Sequence, residues 1–195
     1  MPEGNTAQET DVYPMNEKLV AWSIYDNYVY QLMLPFDHVS ASDVLSMYGH
    51  SLTPEYSLAT MVSDMRVICP VDEMVKVAAN ASRLPVYRYI ASIFSDKRFS
   101  ASGVQKNYAY SGIDVDAFFG ADSEPSTHQD ERFTALMRDI VFGFVRNGSV
   151  RDWDAFPHSA YNVSTDVERI MPRFMSPECN FWRTNWFFPS YAWMN

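Results

Sequence analysis

At 195 residues the chain is long enough for one domain or for part of a larger one. Hydrophobic residues make up 47% and aromatics 15%, which supplies a packed core and excludes wholesale disorder. The formal net charge of −9, with no Lys/Arg cluster to offset it, excludes a phosphate-binding surface and with it a nucleic-acid partner.

No apolar run approaches ~20 residues, so no transmembrane segment is expected. Met1 to Asp11 is polar and acidic and lacks the basic start and apolar centre of a signal peptide. Two other features point to the secretory pathway. The chain has only two cysteines, Cys69 and Cys179, and three Asn-x-Ser/Thr sequons, which make Asn80, Asn147 and Asn162 candidate glycosylation sites. A secreted or extracellular chain would have its leader outside these residues, as the C-terminal part of a longer product.

Met1 to Pro14 reads as a flexible lead-in, and the chain divides into a flexible segment 1–18 and a partial domain 19–195. Leu19 to Tyr25 has the length and composition of a buried strand. Asp26-Asn27 ends it with turn chemistry, and Tyr28 to Leu34, aromatic and apolar, reads as a short helix stopped by Pro35. Ser40, Ser42 and Asp43 can cap a short helix through Val44, Leu45 and Met47. Pro54 opens a better helix with Leu58, Met61, Val62 and Met65 on one face. After Cys69-Pro70 a second helix runs from Val71 to about Ala81, with Met74, Val75 and Ala78 inward. Pro85 then opens the strand-like run Val86 to Phe94. Helix, helix, strand in this order favours an α/β layer arrangement.

A polar connection from Ser95 to Asn107 leads to Tyr108–Gly120, which reads Tyr-Ala-Tyr-Ser-Gly-Ile-Asp-Val-Asp-Ala-Phe-Phe-Gly. Its apolar residues Val115, Ala117, Phe118 and Phe119 are expected to be buried, which sets the polar residues before them at the rim of a core. The longest predicted helix is Asp130 to Arg146, with Ser126 and Gln129 as a capping box and Asn147-Gly148 as its stop. The rest is short segments rich in Pro, Trp and Phe. Its aromatics, from Phe181 and Trp182 to Trp193, read as core packing and a partly covered end, or as a partner surface.

Several of these pieces stand in a familiar order. Asp64-Met-Arg-Val-Ile-Cys69-Pro70 precedes a helix and Pro85-Val-Tyr-Arg-Tyr89. Gly112-x-Asp114 and Phe118-Phe119-Gly120 follow. Then come Leu136-Met137-Arg138, Phe144-Val-Arg-Asn-Gly148, Trp153, Pro157 and Cys179-Asn-Phe181-Trp182. From Asp64 to Trp182 the chain resembles the C-terminal portion of the type-B carboxylesterase and cholinesterase family. Leu19 to Pro35 is more weakly similar to the strand and loop around that family's acidic triad residue.

The resemblance implies an α/β fold, the C-terminal part of an α/β-hydrolase with an incomplete sheet. It also implies a serine, histidine and acid mechanism. No Gly-x-Ser-x-Gly nucleophile motif occurs in the chain. The acid would stand near the end of the upstream strand, where Asp26 is either its remnant or an ordinary turn aspartate. The histidine would stand in His-Gly-x-Glu, and matching Gly112 and Asp114 puts Ser111 in its place. A serine hydroxyl cannot accept and return a proton near neutrality as imidazole does. Losing such a base costs on the order of 10⁶ in rate. The other histidines, His38, His50, His128 and His158, sit in polar or loop contexts and read as ordinary surface residues.

Cys69 and Cys179 match the family's most C-terminal disulfide. Asp114 and Asp116 are too close together for a calcium loop, and no His/Cys spacing suits zinc, so neither metal nor cofactor is expected. Three functional expectations follow. One is an esterase-like fragment inactive by itself, with another protein chain covering its exposed sheet edge. Another is a non-catalytic extracellular binding protein, as neuroligins are in this family. The third is one part of an active serine carboxylic-ester hydrolase.

Overall fold

A computed structural model of the chain describes residues 2–10, 21–36, 39–94, 108–120 and 127–185. Its centre is β2 (Tyr87–Ala91), in which all five residues are buried. A strand covered on both faces is what parallel pairing demands. β1 (Pro2–Thr6) runs parallel to one side of it and β3 (Ala160–Val163) parallel to the other. β4 (Val167–Ile170) closes the far side antiparallel to β3, giving a sheet of order β1-β2-β3-β4.

β1 lies where the sequence suggested a flexible lead-in. Apart from Thr6, its residues, Pro-Glu-Gly-Asn-Thr, are poor strand formers, so local propensity conceals it. Pairing creates it. Gly4 lies in register with Tyr89, and the Tyr89 ring covers Gly4 so closely that a Cβ there would overlap it.

The expected strand Leu19–Tyr25 is corrected to a helix over its described part. α1 (Trp22–Met33) buries Tyr25, Val29 and Met33, a repeat of four that marks one helical face. Leu19–Tyr25 looked strand-like because a short apolar run fits either period until its continuation is weighed. α2 (Ala41–Met47) follows, with Val44 buried. α1 and α2 pack with α3 (Pro54–Ser63) and α7 (Pro177–Thr184) around a core that includes Tyr48, Met61 and Trp182.

α3 does not stop before Pro70. It passes through a π-helical turn, Asp64–Ile68, into α4 (Cys69–Ala81), with the Cys69 N–H donating to Asp64 five residues back. Proline lacks an N–H and crowds the carbonyl four residues before it, and the widened turn accommodates both defects. On α4 Val75 is buried as expected, whereas Met74 and Ala78 face outward.

The two faces of β2 meet different helices. Tyr87, Tyr89 and Ala91 pack with α5 (Ile113–Phe119) and α6 (His128–Asn147), while Arg88 reaches Asp72 on α4. α6 is capped by a reciprocal Thr127/Asp130 box one residue beyond the expected pair, and Ser126 lies outside the described residues. The expectation that Val115 and Phe119 are buried is also corrected. They are 53% and 72% exposed, because α5 is amphipathic and turns Ile113 and Ala117 inward at a spacing of four. The tail aromatics from Trp186 onward lie outside the described residues.

Candidate functional site at the strand ends

Tyr108–Gly120 stands beside β2 on the α6 side. Ile113 N–H donates to the Tyr110 carbonyl at 3.2 Å, which closes a turn through Ser111 and Gly112. Gly112 takes φ +88° and Gly120 φ +68°, left-handed values that bracket α5 and suit glycine at both positions. Tyr110 is buried, and its hydroxyl donates to Asp116 Oδ2 at 3.1 Å. Ser111 is exposed at the tip of the turn.

Asp114, the acid in Gly112-x-Asp114, has a structural partner. Its Oδ2 accepts the Tyr89 hydroxyl at 2.8 Å. Burial first, and then the Asp114 charge, hold the Tyr89 phenol far above its ordinary value, so it remains a donor. Tyr89 thus spans from β2 over Gly4 to α5 and fixes the base of the Ser111 turn.

The end of β1 closes on the same segment. Gln8 is 2% exposed and its backbone N–H donates to the Ala109 carbonyl at 3.1 Å. Its Oε1 accepts the Ala109 N–H at 3.3 Å, and its Nε2 donates to Thr60 Oγ1 at 3.3 Å. Sequence reasoning missed Gln8, because β1 itself carried no strand signal.

Asp26 lies elsewhere. It is on α1 rather than at a strand end, and its Oδ1 is 3.1 Å from His50 Nε2. The His50 ring stacks on Trp22 with centroids 4.2 Å apart. This pair sits on the α1 layer, whereas Ser111 leads into the core shared by β2, α5 and α6. Of the remaining histidines, His128 opens α6, His158 lies in the turn before β3, and His38 is outside the described residues.

Cys69 and Cys179 form a disulfide across 110 residues, joining the first turn of α4 to α7 with Cα atoms 5.1 Å apart. Beside it lies a buried polar network that the sequence did not suggest. Asp64 Oδ2 accepts from Arg173 Nη2 at 2.7 Å and from the Tyr48 hydroxyl at 3.0 Å, and Trp182 Nε1 donates to that hydroxyl at 2.9 Å. Burial holds the Asp64 carboxyl above the ordinary range against the pull of Arg173. Burial lowers the Arg173 guanidinium, but the charge and hydrogen bond of Asp64 outweigh it and raise its pKa. A cavity of about 240 Å³ opens over this network, with Ser51, Tyr56 and Ser57 on its wall.

Asn80 is exposed in the last turn of α4, and Asn147 is exposed as the last residue of α6. Asn162 is half-buried within β3, between Ile90 and Glu168. Among the described residues no helix is long and apolar enough to cross a membrane, and no group of three or more His, Cys, Asp or Glu is placed to hold a metal ion.

The sheet is mixed, open and four-stranded with helices on both faces, an α/β layer arrangement that matches a partial α/β-hydrolase fold. Among solved structures the chain is similar to one described as PNB esterase, with a TM-score of 0.60 and 15% identity. The match covers 93% of this chain and 37% of that one, so the chain spans little more than a third of the esterase's length. The fold is therefore esterase-like. No protein-family model matches the sequence, and no curated protein matches it either.

Proposed function

We propose that this chain is a carboxylesterase/cholinesterase-like fragment that does not hydrolyse esters by itself. The observation that carries the reading is Ser111. It stands exposed at the turn where the resemblance calls for the histidine, in a frame otherwise intact at Gly112, Asp114 and Phe118-Phe119-Gly120. Without imidazole there, the turn has no group to carry the proton of acyl transfer. The partial domain 19–195 is joined in its sheet by β1. β1 is an edge strand, and its outer row of backbone groups is the natural place for a strand from another protein chain.

A second reading is a non-catalytic, neuroligin-like extracellular binding protein. The buried disulfide and the exposed sequon residues Asn80 and Asn147 favour a secreted chain. Under the third reading the chain is part of an active serine carboxylic-ester hydrolase, and its partner would then have to supply the base as well as the nucleophile.

The test is hydrolysis of p-nitrophenyl acetate and acetylthiocholine by the purified chain. We expect no turnover that an organophosphate abolishes. Organophosphate-sensitive turnover would overturn the proposal.

A further inference from the structure

Asn147-Gly148 is the one Asn-Gly pair in the chain. Asn147 ends α6 with an exposed side chain, and Gly148 holds the left-handed conformation that stops the helix, at φ +69° and ψ 8°. The Gly148 N–H donates to the Phe144 carbonyl at 2.7 Å. An Asn-Gly pair is built for deamidation, because glycine has no Cβ to shield its nitrogen. That nitrogen, once its proton has passed to solvent base, attacks the carbonyl carbon of the asparagine side chain. A C–N bond forms, ammonia leaves, and a cyclic succinimide remains. Water then opens the ring at either carbonyl and leaves aspartate or isoaspartate.

We propose that Asn147 is a deamidation site that the cap of α6 keeps closed while the chain is folded. Two features close it. The Gly148 N–H that must lose its proton is bonded to Phe144. The Asn147 backbone is helical, and ring closure needs a ψ outside the helical region. The products do not fit the cap. Aspartate would place a negative charge at the C-terminus of α6, the negative end of its dipole. Isoaspartate would lengthen the main chain by one carbon before Gly148 and disturb its bond to Phe144. The Phe144 ring meets Tyr87 of β2 with centroids 6.2 Å apart, so loss of the cap reaches the core cluster. An episode of unfolding thus leaves a covalent mark that hinders the helix end from re-forming. A glycan on Asn147 would substitute the nitrogen that must leave, so the two modifications compete for this residue. Nothing in the proposal depends on the reading of Ser111.

The experiment uses the full chain made in a bacterial host, which adds no such glycan. It is incubated in heavy-oxygen water at one pH and temperature, with and without guanidinium chloride, and every asparagine is followed by peptide mapping and mass spectrometry. In the unfolded chain Asn147 is expected to react fastest and to give aspartate and isoaspartate, each carrying the heavy oxygen. In the folded chain its rate is expected to fall by about tenfold or more, the protection of a hydrogen-bonded helix end against local opening. Gly148→Ala, compared in denaturant where folding is not required, should react more slowly because its Cβ hinders the attacking nitrogen. Equal rates at Asn147 in the folded and unfolded chains would overturn the closing role of the cap. Another asparagine reacting faster in the unfolded chain would overturn the site.

Discussion

The Arg88 guanidinium donates through Nε to Asp72 Oδ1 at 2.7 Å, and neither side chain touches solvent. This pair joins the centre of the sheet to α4. The second oxygen of Asp72 accepts the Phe174 N–H at 3.1 Å, so one carboxylate also ties in the segment before α7. Removing one member strands the other charge in the core. Asp72→Ala is expected to lower the unfolding free energy by about 3–5 kcal/mol. Replacing both residues by apolar ones of similar volume should cost much less. Denaturant titration of the two variants checks this, and equal losses for the single and double changes would contradict it.

The pair also marks the limit of what the sequence reveals. The α/β layering was legible, because β2 is rich in strand-forming residues and α6 carries an apolar stripe (Phe133, Met137, Ile140) at helical spacing. The disulfide was legible through a resemblance, not through spacing. β1 was hidden because Gly4 and Asn5 oppose strand formation and only the Tyr89 ring and the pairing with β2 impose it. α1 was misread because Leu19–Tyr25, apolar and aromatic apart from Ser23, fits either period until its continuation is weighed. At the candidate site Ser111 could be found within one local motif. Gln8 could not, since its partner Ala109 lies 101 residues away.

The disulfide should carry a large share of the stability. In the chain-entropy picture a bridge spanning 110 residues contributes about 4–5 kcal/mol by restricting the unfolded chain. Cys69→Ser with Cys179→Ser should therefore shift the denaturation midpoint sharply downward. Reducing agent should have the same effect on the natural chain and none on the variant. Peptide mapping without reductant should recover Cys69 and Cys179 in one linked species. Two alkylatable thiols would contradict the bridge.

Gly4 faces a steric demand from one identifiable side chain. A Cβ at this position would overlap the Tyr89 ring, whose hydroxyl is anchored on Asp114. Gly4→Ala must displace either the ring or β1. The expected cost is about 1–3 kcal/mol, the usual range for overpacking. In a Tyr89→Ala background the same change should cost little. A double-mutant cycle on unfolding free energies measures the coupling. A Gly4→Ala cost that stays the same in both backgrounds would show that the ring is not its cause.

Tyr25 supplies a dependence on pH with a definite sign. Its hydroxyl donates to the Tyr48 carbonyl at 2.6 Å in the core between α1 and α2. Burial, followed by the neighbouring Asp26 charge, raises its pKa from 10.0 to about 12. A folded-state pKa above the unfolded one means that the protonated phenol stabilises the fold. That contribution is whole below pH 10.0 and is lost as pH rises through about 12. The stability difference between the natural chain and Tyr25→Phe should thus be flat below the lower value and shrink across the window. Denaturant titrations at a series of alkaline pH values provide the measurement. Ultraviolet difference absorbance between the two proteins should show the Tyr25 phenolate only near the upper value. Asp26→Asn should move that transition down by a smaller amount than burial moves it up, because the Asp26 charge is the lesser cause. A phenolate already formed at pH 10.0 would show that the hydroxyl is open to water rather than held against Tyr48.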